Sequence, residues 1–117
     1  MLEPLGYIPY FSGLYVHDEI GMASPAVSAY RRKFRERWWI QYLKDFAPTY
    51  LVERDHILDR KTIDAVAMSD EEWKWFQDHY RVLRSFTYDS RTLARSQWEG
   101  ELLRLGWVGG YHVLVRR

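Results

Sequence analysis

Between Gly13 and Pro25 the chain changes character twice. Leu14 and Val16 alternate with Tyr15 and His17, a period of two that predicts a short strand, Leu14–His17. The strand ends on Asp18-Glu19 and turns through Gly21 toward Ser24-Pro25. Ser as N-cap and Pro at the first helical position predict a helix start there. Val27, Tyr30, Phe34, Trp38 and Leu43 then recur near helical spacing, and Trp39, Tyr42 and Phe46 widen the apolar face. The predicted helix has a break around Lys33 to Arg37 and stops at Ala47-Pro48, because a residue before Pro disfavours helical dihedrals.

Tyr50–Glu53 is short and mostly apolar and predicts a second strand. Arg54 to Met68 begins polar and carries Ile57, Leu58, Ile63 and Val66 as anchors. Ser69-Asp70-Glu71-Glu72 is a capping box, with acids in the first turn of a helix that runs to about His79. Trp73, Phe76 and Tyr80 are its inward residues. Val82 to Tyr88 alternates as a third strand, Ser90 to Gly106 is a polar amphipathic stretch, and Tyr111–Val115 is the last strand. Pro4 to Ser12 reads as a short helix or a turn-rich extended stretch, with Gly6 and Pro9 as breakers.

Strand, helix and strand in that order imply a parallel pair with a right-handed crossover. The expectation is a single α/β domain over residues 1–117: a small Rossmann-like sheet with Leu14–His17 and Tyr50–Glu53 as parallel neighbours. Helices pack on that sheet, and the third and last strands form a C-terminal antiparallel pair.

Composition narrows the function classes. A chain of 117 residues fits one domain, and 47% hydrophobic with 28% charged residues is a globular balance. The net charge of +1 lacks the basic surplus that phosphate binding needs, which argues against nucleic acid as a partner. Without Cys there is no disulfide framework and no thiolate metal site, and without Asn there is no N-linked glycan acceptor. No apolar run approaches the roughly 20 residues of a membrane span, and the N-terminus lacks a signal-peptide pattern. Met1-Leu2-Glu3-Pro4 starts abruptly, as a fragment of a longer protein would. The aromatic content of 17% fits either a thick core or an exposed docking face.

The chemistry-bearing residues gather after the two predicted strands. In open α/β sheets, ligands bind outside the carboxyl ends of the strands, where His17, Asp18 and Glu19 stand, and Asp55 and His56 follow the second strand. These five are the candidate ligand contacts. Asp18 has a competing structural role as a cap for the turn that follows it. Two carboxylates and a His could hold a divalent ion, but the spacing matches no metal signature, and a solvated charged rim is the simpler reading. Trp38-Trp39 and Trp73-Lys74-Trp75 could stack on sugar rings or fill the core. Arg31-Arg32-Lys33 with Arg35 and Arg37 is a solvated helix face or a contact for anionic lipid headgroups. There is no phosphate-cradling glycine loop and no nucleophile elbow, so no catalytic residue is assigned and no cofactor is expected.

Several of these residues carry a family resemblance. Gly6-Tyr7-Ile8-Pro9-Tyr10-Phe11-Ser12-Gly13, then Val16-His17-Asp18-Glu19-Ile20-Gly21-Met22 and Ser24-Pro25, resemble the extracytoplasmic C-terminal segment of bacterial multi-pass C-type glycosyltransferases, relatives of the dolichyl-phosphate-mannose–protein mannosyltransferases. Tyr42-Leu43, Phe46 and Pro48-Thr49-Tyr50-Leu51-Val52 match a second element of that pattern, with Thr49 where the family usually has Asp. Tyr111 to Val115 fits its last strand. The resemblance implies a non-catalytic accessory domain on the extracytoplasmic face of the bacterial cell membrane. Its partners would be the membrane domain of the same polypeptide and, in the full-length protein, a polyprenyl-phosphate sugar or acceptor. Two other expectations stand beside it: an interaction module docking through exposed aromatics, and a small hydrolase using Asp18 and His56.

Overall fold

Residues 11–54, 57–61, 63–87 and 110–117 are described in the computed structural model. Helix α1, Pro25–Phe34, starts where the Ser-Pro pair predicts. Ser24 has extended dihedrals and Pro25 takes the first helical position, but the Ser24 hydroxyl makes no cap bond to the helix. It serves the preceding loop instead.

The helix breaks inside the expected interval. Arg35 has φ of 50°, and a 3₁₀ turn, Arg35–Arg37, leads into α2, Trp38–Phe46. The break redirects the chain so that Trp38, Trp39, Ile40, Tyr42 and Leu43 are all buried. Five of its nine positions are buried, while Lys44, Asp45 and Phe46 at its end face water. Ala47 closes α2 in the left-handed region and donates its N–H to the Leu43 carbonyl at 2.9 Å.

Strand β1, Tyr50–Arg54, is followed by the short helix α3, Ile63–Val66, and by α4, Asp70–His79. The capping box is complete: the Glu72 N–H donates to Ser69 Oγ at 3.2 Å, and the Ser69 N–H donates to Glu72 Oε2 at 3.0 Å. Arg60 ties this junction together, donating to the Ala65 carbonyl at 3.2 Å, to the Met68 carbonyl, and to Asp70 Oδ1 at 2.6 Å. Helix α4 runs directly into β2, Tyr80–Phe86, and the last strand, β3, spans Tyr111–Arg116.

The sheet is antiparallel, in the order β1-β3-β2. Tyr50 faces Val115 and Arg54 faces Tyr111 across one edge of β3, while Tyr80 faces Arg116 and Phe86 faces Tyr111 across the other. A register shift between Val82 and Arg84 interrupts the second ladder. Helices α1, α2 and α4 and residues of the sheet close the core over Val27, Trp39, Tyr42, Leu43, Leu51, Phe76, Tyr80 and Leu114.

The parallel Rossmann-like arrangement is therefore corrected. Residues 14–17 form no strand, and Tyr50–Arg54 pairs with β3 in the antiparallel sense. The alternation at Leu14–His17 has no buried face to match it, since Leu14 is 60% and Tyr15 88% exposed. A strand needs such a face to fix its register. The antiparallel pairing of the two C-terminal strands is present, but as part of a three-stranded sheet with β3 at its centre. The expected amphipathic stretch Ser90 to Gly106 and most of Pro4 to Ser12 lie outside the described residues.

Candidate functional site: the loop from His17 to Ser24

Asp18 has no exposed surface. Its Oδ1 accepts the N–H of Ile20 at 3.0 Å and its Oδ2 that of Ala23 at 2.8 Å, while its own N–H donates to Ser24 Oγ at 2.7 Å. The Gly21 N–H closes the turn on the Asp18 carbonyl at 3.0 Å. One carboxylate thus organises a six-residue loop, with both of its oxygens spent on backbone donors, an arrangement typical of Asp in turns.

The loop is also clamped to α1. Ser28 Oγ donates to the Gly21 carbonyl at 2.6 Å, and Arg31 Nη1 donates to the carbonyls of Glu19 and Ile20 at 3.2 and 3.0 Å. Arg31 also stands over the Trp38 ring, 5.1 Å from its centroid. Gly21 has φ of 86°, and a Cβ there would lie 2.8 Å from Ser28 Oγ, so both its backbone and its neighbour demand glycine.

His17 turns toward α2. Its Nδ1 is hydrogen-bonded to the Tyr42 hydroxyl, and its ring lies edge-on to Tyr15, Tyr42 and Phe46 at centroid distances of 4.9, 5.5 and 5.7 Å. Burial pulls the imidazole below its ordinary range, and burial pushes the Tyr42 hydroxyl up to about 12. Both shifts favour the neutral forms of the pair, which packs as an aromatic contact. Glu19 is buried beside Asp18. Asp55 and His56 lie outside the described residues, so the structure brings together His17, Asp18 and Glu19 of the five expected contacts.

The tryptophan readings are resolved in favour of packing. Trp38 and Trp39 are both buried, Trp39 against Phe76 at 5.5 Å, so that pair offers no outward ring. Trp73 and Trp75 are half-buried, and Trp75 stacks on His79 at 4.2 Å. The loop itself exposes Leu14, Tyr15, Ile20 and Met22, the last 85% exposed, and other apolar side chains, Val66, Leu83 and Phe86 among them, face water elsewhere.

A second polar group was not anticipated. Glu53 and Ser85 flank His112 across β3, and Glu53 and His112 are buried on the face that also carries Leu51 and Leu114. Ser85 Oγ and His112 Nδ1 are 2.8 Å apart. Their positions in the chain give no hint of this, because only the strand register makes the three neighbours. Among the described residues, no group of three or more His, Asp and Glu is placed to hold a metal ion. Among the same residues, no helix is long and apolar enough to cross a membrane.

The fold and loop define a small domain of helices on an antiparallel sheet, with a loop built for rigidity. The chain matches, over residues 1–113, a domain of unknown function, DUF8728, and belongs to that family. Comparison with curated proteins and with solved structures finds no match to either.

Proposed function

We propose that this chain is a non-catalytic accessory domain of a membrane glycosyltransferase-like protein that uses polyprenyl-phosphate sugars. It stands on the extracytoplasmic side and contacts the membrane domain of the same polypeptide or its acceptor through the loop from Leu14 to Met22. The observation that carries the reading is the use made of Asp18. Asp18, the carboxylate on which the hydrolase reading depends, is committed through both oxygens to holding a loop whose apolar side chains face water. Rigid display of that kind suits docking, because a preorganised surface loses little entropy on binding. It does not suit a hydrolase built on Asp18, which would need an oxygen free to reach a reacting group. The motif resemblance from Gly6 to Pro25 and from Tyr42 to Val52 supplies the kind of protein.

The test uses the full-length protein in detergent, with a polyprenyl-phosphate sugar as donor. Sugar transfer by the full-length protein, none by the isolated chain, and reduced transfer on Tyr15→Ser with an unchanged melting temperature are expected. Turnover by the isolated chain, or an upstream reading frame without hydrophobic spans, contradicts the proposal.

A further inference from the structure

The tip of this loop does not stand alone on the surface. Ser28 and Arg31 hold the Glu19-Ile20-Gly21 backbone against α1. Residues three and four apart on a helix are neighbours along one face, so Arg32 follows Ser28 one turn further along the stripe on which the loop sits. Arg35, four residues beyond Arg31, extends the same side at the end of the helix. The segment from Arg31 to Arg37 carries five basic side chains to one acid, Glu36. Arg31 is engaged by loop carbonyls, and Arg37 by Glu72. Arg32, Lys33 and Arg35 are exposed, and none has a carboxylate partner among the described residues. Asp45, on α2, is occupied by Tyr30 at 2.7 Å and Gln41 at 3.3 Å. An exposed apolar tip, Ile20 and Met22, thus adjoins basic side chains that no carboxylate among the described residues neutralises.

We infer that this composite face binds the surface of an anionic lipid bilayer, with Ile20 and Met22 entering the headgroup boundary and Arg32 and Arg35 on the lipid phosphates. Apolar side chains beside unpaired cations are the pattern of interfacial membrane contact, in which partial insertion and electrostatic attraction add. Each cation near such a surface contributes about fivefold to partitioning, equivalent to about 1 kcal/mol. A nucleic acid would use the cations but leave the apolar tip in water, and an apolar protein partner would use the tip but leave the cations unmatched. The inference deepens the accessory reading by naming what the loop touches, and it rests on that reading for the chain's place beside a membrane.

The experiment is co-sedimentation of the purified chain with vesicles of phosphatidylcholine alone and with 30% phosphatidylglycerol. Binding to the anionic vesicles only, weakened at least tenfold by 0.5 M salt, is expected, because surface attraction is screened within a few ångströms at such ionic strength. Arg32→Glu with Arg35→Glu is expected to reduce binding by about twentyfold or more, and Met22→Ser with Ile20→Ser by about tenfold. All four side chains are exposed, so melting temperatures should hold. Equal binding to both vesicles, or binding indifferent to the charge reversals, overturns the inference. A dimer in sedimentation analysis that is lost on Met22→Ser, with no vesicle binding, overturns it in favour of self-association. Failure here leaves the sugar-transfer assay of the full-length protein unaffected, so the two readings fail separately.

Discussion

His17 shows how one side chain can link a loop to the core and to pH. Its imidazole is packed among three aromatic rings, and burial lowers its pKa. A His that charges less readily when folded binds fewer protons in the native state than in the unfolded one between its folded and its unfolded pKa. Its contribution is therefore fully present above the unfolded value, about 6.5, and is lost as pH falls from there through the folded value. Urea unfolding of the wild type should show stability declining below about pH 6.5, and His17→Phe should flatten that slope. An unchanged slope in the variant would separate His17 from the loop's pH response. The cap role of Asp18 was one of two readings open in the sequence, beside a ligand contact, because an Asp before a glycine-containing turn suits both. That Ser24 would bond the Asp18 N–H and not its own helix was not legible, because both roles place the same residue type at the same position.

At the scale of elements, α4 is the piece in which sequence and structure agree most closely. Its capping box satisfies backbone donors that the first turn leaves open, and local geometry alone sets it. Glu72 does more than cap. Burial alone would raise its pKa, but the Ser69 N–H, the hydrogen bond and charge of Arg37 and the charge of Lys44 outweigh it, and the net shift is downward. Such a group stabilises the fold above its unfolded pKa and loses that contribution as pH falls through the folded one. Ser69→Ala should destabilise the domain by about 1 kcal/mol, read from chemical unfolding at pH 7. Glu72→Gln should make stability less sensitive to acid below about pH 4.5. A Ser69→Ala variant as stable as wild type would show that tertiary packing, not the cap, holds α4.

The whole molecule is where the sequence misled. The order strand, helix, strand implied a parallel crossover only while Leu14–His17 counted as a strand. Its alternation is real, yet Leu14 and Tyr15 face water, so the pattern marks a displayed loop and not a buried ladder. Pairing of Tyr50–Arg54 with Tyr111–Arg116 joins segments more than fifty residues apart, and such non-local contacts leave little trace in local periodicity. Separation in the chain also hid the Glu53, His112 and Ser85 neighbours. Local patterns could be read; register and partner could not.

The central claim, that Asp18 holds a display loop and does not meet a ligand, is tested most directly by unfolding the Asp18→Ala chain in urea beside the wild type, with amide exchange at Ile20 and Ala23. Loss of a buried carboxylate that accepts two backbone N–H groups should cost roughly 1–3 kcal/mol, and protection at those two amides should fall. Stability within about 0.5 kcal/mol of wild type, with both amides still protected, would contradict the claim and return Asp18 to the list of ligand contacts.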